Sequence, residues 1–261
     1  MRTDFHTHAF HPKIASKVCE QLHQHYGAKP SGDGTVDDLL ARAEAAGIEQ
    51  VVALCAATVP AQVQPANDFA MHLQNTYPQI TAFGTLHPHG AGWEEELDRL
   101  RAAGIKGLKF HPEFQGFWMD DPMLLPLLEA SQDFIWMFHV GDAAPPEQNP
   151  SCPIKLGKIL DRFPDARVVA AHLGGYRHWD WAVEHLAGRD VWFDTSSSMP
   201  FIRQETLERI LRKHDPDRIL FGSDYPLFDP VESMEALQAR AGVDDATLER
   251  YWRNAETLLA E

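Results

Sequence analysis

Two histidines separated by one residue stand near the start of the chain, in the segment Asp4-Phe5-His6-Thr7-His8. Alternate residues of an extended strand share a face, so we expect Asp4, His6 and His8 on one face of this segment. Two imidazoles about 7 Å apart on one strand face can reach the same divalent metal ion. A carboxylate one layer deeper can orient a ligand histidine through its second ring nitrogen, and this is the role expected of Asp4.

The His-x-His pattern alone is not specific, because the chain contains 14 histidines. His23/His25 and His87/His89 repeat the pattern. The pair His23/His25 falls in a helical pattern, where side chains two residues apart diverge. A metal site at His6 and His8 therefore needs partners from other parts of the chain.

The elements that must position these residues are short apolar strands alternating with helical patterns. Strands are expected at residues 4–8, 51–56, 80–86, 105–110, 134–138, 167–171, 191–193 and 218–221. Strands that alternate with helices imply parallel βαβ units, and eight units in 261 residues match the size of a (β/α)8 barrel. An open doubly wound sheet is the alternative, but no Gly-x-Gly-x-x-Gly motif follows the first strand. We therefore predict a single-domain (β/α)8 TIM barrel over residues 1–261.

The connection between the first two strands, residues 9–35, is much longer than the usual 2–6 residues of such a loop. A proline at its start and Gly27 at its end predict a helix from Pro12 to Tyr26. The connection leaves the barrel at the end where active sites form, so we expect it to lie beside the site.

The composition fits a large folded core and disfavours two classes of partner. Hydrophobic residues make up 44% of the chain, and its formal net charge is −15. Without a Lys/Arg-rich run, nucleic acid and anionic membrane surfaces are disfavoured as partners. No signal peptide precedes the first strand, and no apolar stretch approaches the ~20 residues of a membrane helix. We expect a cytoplasmic protein that acts on a small molecule; a homo-oligomer is compatible with the sequence.

Residues whose side chains can bind metals or transfer protons end the predicted strands, on the side where barrel active sites form. The apolar runs end in this series: His6, His8, His87, Lys109, His111, His139, His172, Asp194 and Asp224. A single histidine at a strand end is usually a hydrogen-bonded core or rim residue. Several on successive strands favour a shared site.

Three imidazoles and a carboxylate in this series match the donor set of a hydrolytic metal site: His6, His8, His139 and Asp224. A catalytic zinc-like ion takes nitrogen and oxygen ligands and keeps one position open for water. The first and last strands are neighbours in a closed barrel, which places Asp224 beside the histidine pair. Asp224 is then expected to act both as ligand and as base, which leaves His172 for proton transfer or for polarising the substrate.

Five short motifs stand at these strand ends: Asp-Phe-His-Thr-His (4–8), Gly-Leu-Lys-Phe-His-Pro (107–112), Phe-His-Val-Gly (138–141), His-Leu-Gly-Gly (172–175) and Gly-Ser-Asp-Tyr-Pro (222–226). In this order the chain resembles the amidohydrolase superfamily over essentially its whole length. Within it the chain looks like the amidohydrolase-2 branch, which includes aminocarboxymuconate semialdehyde decarboxylase, resorcylate-type decarboxylases and hydrolases. The resemblance implies one divalent metal ion, most often zinc, on His6, His8, His139 and Asp224. It implies His172 as the catalytic histidine.

Lys109 leaves the number of metal ions open. In other branches of the superfamily a lysine at the end of the fourth strand is carbamylated and bridges two metals, and Lys109 is placed for that. Lys109 and His111 share a strand face, however, and the Lys-x-His-Pro form looks more like a substrate-facing pair. We expect one metal, with a binuclear site on carbamylated Lys109 as the alternative. The related TatD-like nucleases prefer a glutamate at this strand end, whereas Glu113 follows Pro112 in the loop.

Four cationic or imidazole side chains are candidates for a pocket that binds a carboxylate-bearing substrate: Lys109, His111, Arg177 and Arg203. The two arginines are equally well interpreted as surface residues at helix starts. The loop after the fourth strand carries Phe114, Phe117 and Trp118, which fit either an aromatic wall for a small ligand or a plug over the barrel mouth.

Three functions are compatible with these residues. The leading one is a metal-dependent hydrolase, in which an activated water attacks an ester, lactone or amide carbon. The second is a metal-dependent non-oxidative decarboxylase, a carboxy-lyase of an aromatic or unsaturated acid, which would use the same ligands. The third, a barrel that binds a ligand without turnover, is disfavoured because the full set of strand-end histidines and Asp224 is retained.

Overall fold

Eight short strands alternate with helices along the chain, as the sequence predicts. The computed structural model describes residues 1–260. The strands are β1 (Thr3–Thr7), β2 (Gln50–Leu54), β3 (Ile80–Phe83), β4 (Gly107–Phe110), β5 (Ile135–Phe138), β6 (Val168–Ala170), β7 (Trp192–Asp194) and β8 (Ile219–Leu220). The helices are α1 (Pro12–Tyr26), α2 (Val36–Ala45), α3 (Val63–Thr76), α4 (Trp93–Ala102), α5 (Pro112–Gln115), α6 (Leu124–Ala130), α7 (Pro153–Arg162), α8 (Trp179–His185), α9 (Gln204–Lys213), α10 (Pro230–Ala241) and α11 (Asp245–Ala260).

The strands close into a barrel. β1–β3 and β4–β8 pair in parallel in chain order. Two bridges join these groups, one between Gly84 and Leu108 and one between Thr7 and Tyr225. The predicted single-domain (β/α)8 barrel is thus confirmed, and β8 lies beside β1 although they are at opposite ends of the chain.

Helix starts follow local sequence signals. Four helices begin at a proline: Pro12, Pro112, Pro153 and Pro230. Proline suits this position because the first turn of a helix leaves its N–H groups unpaired in any case. Helix α1 has the predicted bounds and ends at Gly27, whose φ of 69° is readily adopted by glycine.

The strands are buried on both faces, as expected for a parallel barrel. One set of strand residues, including Val51 and Leu108, packs with helical residues in a large outer core. The other set fills the inside of the barrel, where Phe5 and Phe83 meet edge to face with ring centroids 5.7 Å apart. Leu258 of α11 belongs to the inner cluster, so the last helix packs against the barrel interior.

The first strand departs from the predicted alternation. Asp4 lies opposite Val51 and Thr7 lies opposite Ala53, so the register shifts between these two pairs. From Asp4 to Thr7 the chain advances three residues, while the paired segment of β2 advances two. This extra residue is a β-bulge, and it interrupts the alternation of side chains between the two faces. The expectation that Asp4 shares a face with the two histidines was wrong for this reason.

None of the helices within residues 1–260 combines the length and apolar character needed to cross a membrane.

Candidate active site

Side chains from β1 and from the loops after β6 and β8 converge at one end of the barrel. Ligand-type atoms of His6, His172 and Asp224 all lie within 4.8 Å of one another. The Nε2 atoms of His6 and of His8 each lie 3.4 Å from Oδ1 of Asp224. Three of the four predicted ligands and the predicted catalytic histidine are therefore brought together.

His6 of β1 and His8, which directly follows the strand, are each held through their second ring nitrogen. Nδ1 of His6 lies 2.9 Å from Oδ2 of Asp194, and Nδ1 of His8 lies 3.0 Å from the carbonyl oxygen of Leu54. Burial, together with nearby Lys109, lowers the pKa of His6 to about 4, so its ring is neutral. Because both partner oxygens accept hydrogen bonds, Nδ1 carries a proton in both rings, and in the neutral form of each ring Nε2 carries a lone pair.

These tautomers make the site fit a cation. With both rings in their neutral forms, two Nε2 lone pairs meet a carboxylate oxygen, and none of the three atoms has a hydrogen to offer the others. Although burial raises the pKa of Asp224, the neighbouring histidines His6, His8 and His172 hold it well below its usual range. Two imidazoles in their neutral form, together with an ionised carboxylate, are the donor set of a zinc-type site.

Asp194, and not Asp4, orients the ring of His6. Oδ1 of Asp4 accepts hydrogen bonds from the backbone N–H groups of His6, at 3.1 Å, and Ser223, at 3.0 Å. Asp4 therefore links the bulge of β1 to the segment after β8. Burial raises the pKa of Asp4 to about 7. The sequence offered Asp194 only as one member of the strand-end series.

Ser196 connects His6 with His172. Its Oγ lies 2.9 Å from Nδ1 of each ring and donates to Asp194. The carbonyl oxygen of Ser196 also lies 3.2 Å from Nδ1 of His172. The only sequence signal for this serine was its place in the hydroxyl-rich run 195–198 after β7.

His139 faces His172 and not the carboxylate. Nδ1 of His139 lies 3.0 Å from Nε2 of His172, and its own Nε2 lies 2.9 Å from the carbonyl oxygen of Gly141. The carbonyl of Gly141 accepts an N–H from Nε2 of His139, and the carbonyl of Ser196 accepts one from Nδ1 of His172. The two facing nitrogens therefore have no proton when both rings are neutral and share one when the pair carries a single positive charge.

The surroundings of these two rings differ in charge. Burial lowers the pKa of both. At His172 the carboxylates of Asp224 and Asp194 partly offset this effect. At His139 the neighbouring His111 and His172 lower the pKa further. A proton shared by the pair therefore resides on His172.

Backbone strain is concentrated beside these residues. The non-glycine residues with positive φ within residues 1–260 are His172, Leu173, Arg177, Ser197 and Asp224. All five follow β6, β7 or β8, at the end of the barrel that carries the histidines. Such conformations cost about 1–3 kcal/mol each and cluster at functional sites. The strain at Asp224, with φ of 67°, is accompanied by a hydrogen bond to its Oδ2 from the hydroxyl of Ser197.

Lys109 lies in the interior next to this group and is 1% exposed. Its Nζ has no hydrogen-bond partner among residues 1–260. Burial lowers the pKa of Lys109 to about 8, against the opposing influence of Asp194 and Asp224. A fraction of the amine is therefore uncharged at neutral pH, which is the form that carbamylation requires.

His111 and Glu113 form a second group with His139, whose ligand-type atoms lie within 4.8 Å of one another. The rings of His111 and His139 are stacked, with centroids 3.9 Å apart and an angle of 11° between their planes. Nitrogens of parallel rings do not converge on one tetrahedral ion, so this group fits a metal less well than the first. Burial raises the pKa of Glu113 to about 7, and its Oε1 accepts from the N–H of Ser151 at 3.1 Å.

The two predicted substrate-binding arginines differ in position. The guanidinium carbon of Arg177 lies 5.2 Å from the ring centroids of Tyr176 and Phe201, which both line the cavity described below. The side chain of Arg203 is 69% exposed and donates to Asp180 at 2.5 Å. Arg203 is thus a surface residue, as the alternative interpretation held, because Asp180 occupies its guanidinium.

A narrow cavity opens beside His172 and Asp224, with about 280 Å³ of space including its mouth. Its walls are Tyr26, Ala28, His139, His172, Tyr176, Ser197, Phe201, Asp224, Leu227 and Phe228. Burial raises the pKa of Tyr26 well above its usual value, so its phenol is neutral.

The aromatic residues after β4 do not form the expected wall. Phe114 stacks on His111 with centroids 4.1 Å apart, Phe117 is buried in the outer core, and Trp118 lies over Lys155. The apolar lining comes instead from α1 and from the loops after β6, β7 and β8.

One family model, described as amidohydrolase, matches residues 3–260. The chain belongs to the amidohydrolase family. The resemblance that the strand-end motifs indicated is thus confirmed, and the chain is an enzyme of this family. No curated protein sequence matches it.

Solved structures share the barrel of this amidohydrolase over nearly the full length. A TIM-barrel protein of Bordetella bronchiseptica has 19% identity and a TM-score of 0.74, covering 99% of this chain and 98% of the other. A 5-carboxyvanillate decarboxylase of Novosphingobium aromaticivorans, complexed with manganese and 4-hydroxy-3-methoxy-5-nitrobenzoic acid, has 16% identity and a TM-score of 0.71, covering 100% and 96%. A probable 2-pyrone-4,6-dicarboxylic acid hydrolase of Acinetobacter baumannii, with citric acid bound, has 16% identity and a TM-score of 0.69, covering 100% of both.

Proposed function

We propose that this amidohydrolase is a metal-dependent hydrolase of a small, carboxylate-bearing substrate. The observation that carries the proposal is the meeting of the Nε2 atoms of His6 and His8 at one oxygen of Asp224, with both Nδ1 atoms already engaged. Acceptor atoms gathered in this way without a hydrogen are satisfied by a cation.

His6, His8 and Asp224 are the residues that would hold a divalent metal, and His139 is the proposed fourth ligand. When bound there, such an ion activates water and polarises an oxygen of the substrate. Zinc is our prediction because the set is rich in imidazole. Manganese is the alternative, since it is the ion in the similar carboxyvanillate decarboxylase structure.

His172 is proposed as the acid–base residue, with Asp224 as a second proton acceptor. His172 lines the cavity and is held through Nδ1 by the carbonyl of Ser196. Its Nε2, 3.0 Å from Nδ1 of His139, is the nitrogen that would give or take a proton. The carboxylates of Asp224 and Asp194 favour the protonated form of His172, whereas His111 and His172 disfavour that of His139. This difference supports the division between His139 as ligand and His172 as proton carrier.

Decarboxylation is the second candidate, and the same residues serve it. A decarboxylase must protonate the carbon that loses carbon dioxide, and His172 is placed at the cavity to do so. The aromatic lining by Tyr176, Phe201 and Phe228 suits a planar acid. A decarboxylase and a hydrolase are both among the similar structures, so these comparisons support the two chemistries equally.

The test offers metal-loaded protein the acids that the similar enzymes are named for: 5-carboxyvanillate, 2,6-dihydroxybenzoate and 2-pyrone-4,6-dicarboxylate. In water enriched in oxygen-18, hydrolysis places the label in the product, whereas decarboxylation releases carbon dioxide. We expect label in the pyrone product. Release of carbon dioxide with no label in the organic product would establish the carboxy-lyase. If none of the acids is converted with zinc or with manganese, both chemistries are contradicted for these substrates.

A single ion is the proposed stoichiometry, with a pair of ions on carbamylated Lys109 as the alternative. The stacked rings of His111 and His139 favour one ion. Lys109 and His111 are proposed as substrate-facing or supporting residues beside it, and Arg177 as a residue of the cavity rim. A cytoplasmic location and a homo-oligomer stay predictions from the sequence.

A further inference from the structure

Helix α1 brings Tyr26 to the active site from a long connection, and not from the end of a strand. The helix lies within the long connection between β1 and β2, and Tyr26 is its last residue. Gly27 ends the helix, and its N–H bonds to the carbonyl oxygen of His23 at 2.9 Å, which fixes the position of the tyrosine. The ring of Tyr26 contacts those of Phe114 and Tyr176, with centroids 6.0 and 5.9 Å apart.

The phenol of Tyr26 has one hydrogen-bond partner among residues 1–260, Nε2 of His111 at 3.3 Å. The direction of this bond follows from the other nitrogen of the ring. Nδ1 of His111 accepts the N–H of Phe114, at 3.4 Å, and so caps helix α5. In this tautomer the neutral ring carries its proton at Nε2, so His111 donates to Tyr26. The other tautomer would direct Nδ1–H to Oε2 of Glu113, 3.6 Å away, and the N–H of Phe114 that points at Nδ1 disfavours it.

The hydrogen of Tyr26 is consequently free. The side chain of Tyr26 is partly buried, and a hydroxyl that a ligand removes from water needs an acceptor, because an unpaired one costs about 1–3 kcal/mol. Tyr26 lines the cavity together with His172 and Asp224. The free O–H is therefore available to a ligand that occupies this space.

We propose that Tyr26 donates its phenolic hydrogen to the carboxylate of the substrate, and that His111 is a positioning residue that keeps this hydrogen free. The inference rests on the proposed function and narrows its substrate to an acid whose carboxylate is accepted on the Tyr26 side. Leu227, Phe201 and Phe228 supply apolar walls in the same cavity, so the rest of the acid is planar and apolar.

Benzoate is the probe, and calorimetric titration of the manganese-loaded protein is the measurement. Tyr26→Phe keeps the ring and removes only the hydroxyl. A hydrogen bond to a charged group contributes enough that we expect benzoate to bind about 10- to 100-fold more weakly. Tyr77→Phe is the control, because it removes the hydroxyl of a tyrosine that does not line this cavity, and we expect less than a threefold change.

Metal content and thermal unfolding of both variants are measured alongside, and we expect them to equal wild type. Equal benzoate affinity in wild type and Tyr26→Phe would overturn the role of Tyr26 and leave the proposed function intact. Equal losses in Tyr26→Phe and Tyr77→Phe would also overturn it, since the loss would then not depend on a hydroxyl in this cavity. Metal-loaded wild type that binds no benzoate would overturn this inference together with the carboxylate-binding function.

Discussion

At the scale of single residues, the tautomers of His6 and His8 decide whether the site can hold a cation. Each ring has its Nδ1 proton directed to an acceptor, Asp194 for His6 and the carbonyl of Leu54 for His8. The Nε2 lone pairs are thereby fixed beside Asp224. Residues that orient metal-binding histidines in this way commonly influence affinity by 10- to 100-fold.

Asp194→Asn is expected to weaken metal binding by about 10- to 100-fold. The amide keeps the size of the side chain but loses the charge that favours a proton on Nδ1 of His6. Metal affinity is measured by competition with a chromophoric chelator. Asp190→Asn serves as control, because Asp190 is 70% exposed and pairs with Arg218 on the surface. Unchanged affinity in Asp194→Asn would show that His6 needs no anchor.

His172→Asn is expected to retain the metal and to lower turnover by about 10²–10⁴-fold, the effect of losing an acid–base group. Metal content is determined by elemental analysis, and turnover with whichever test acid the wild type converts. Loss of the ion from this variant would instead make His172 a ligand, as its proximity to His6 and Asp224 also allows.

Strand-end position explains which of these residues could be anticipated from the sequence. His6, His8, His172 and Asp224 follow strands that a barrel brings together, and the structure does so. The contacts of Arg203 and Tyr26 could not be anticipated, because they depend on how long loops fold over the barrel. Arg203 forms an ion pair with Asp180 on the surface, whereas Tyr26 lines the cavity from a helix that is not part of the βα repeat.

At the scale of elements, the join between β1 and β8 shapes the site. A β-bulge in β1 places both Phe5 and His6 towards the interior, and period-two patterning has no signal for such an insertion. On the other side of the join, Gly222 follows β8 close to β1. A Cβ atom on Gly222 would lie 2.8 Å from Cβ of His6, which is closer than such atoms approach.

Gly222→Ala is therefore expected to displace His6 and to weaken metal binding by at least about 10-fold, with a loss of about 1–3 kcal/mol in unfolding free energy from overpacking. Chelator competition and urea unfolding measure the two effects. Gly157→Ala in α7 is the control, because its Cβ would meet chiefly a guanidinium nitrogen of Arg189 at 3.3 Å. Metal affinity like wild type in Gly222→Ala would mean that the strands adjust without moving His6.

At the scale of the whole molecule, a buried acid makes stability depend on pH. Burial raises the pKa of Glu113 from 4.5 to about 7 in the folded protein. Between these values the folded chain keeps a proton that the unfolded chain has released, so the contribution of Glu113 falls as pH rises. The full shift corresponds to about 3–4 kcal/mol.

Glu113→Gln is accordingly expected to gain about 2–3 kcal/mol of unfolding free energy relative to wild type on going from pH 5 to pH 7.5. Urea unfolding at the two pH values gives the difference. Glu129→Gln, at a half-exposed position paired with Arg162, should parallel wild type. The same pH dependence in Glu113→Gln and wild type would mean that Glu113 is ionised throughout this range.

Barrel closure is what unites the site, because it sets Asp224 beside histidines from the other end of the chain. This closure was predictable from eight alternating units, since a parallel sheet of that number closes on itself.

The central claim is that one divalent ion occupies the point where the Nε2 atoms of His6 and His8 meet Asp224. Anomalous diffraction at the absorption edge of the metal, from crystals of the metal-loaded protein, tests it most directly. We predict one peak within about 2.0–2.2 Å of these three ligand atoms. A peak only between His111 and Glu113, or none with the metal in excess, would contradict the claim.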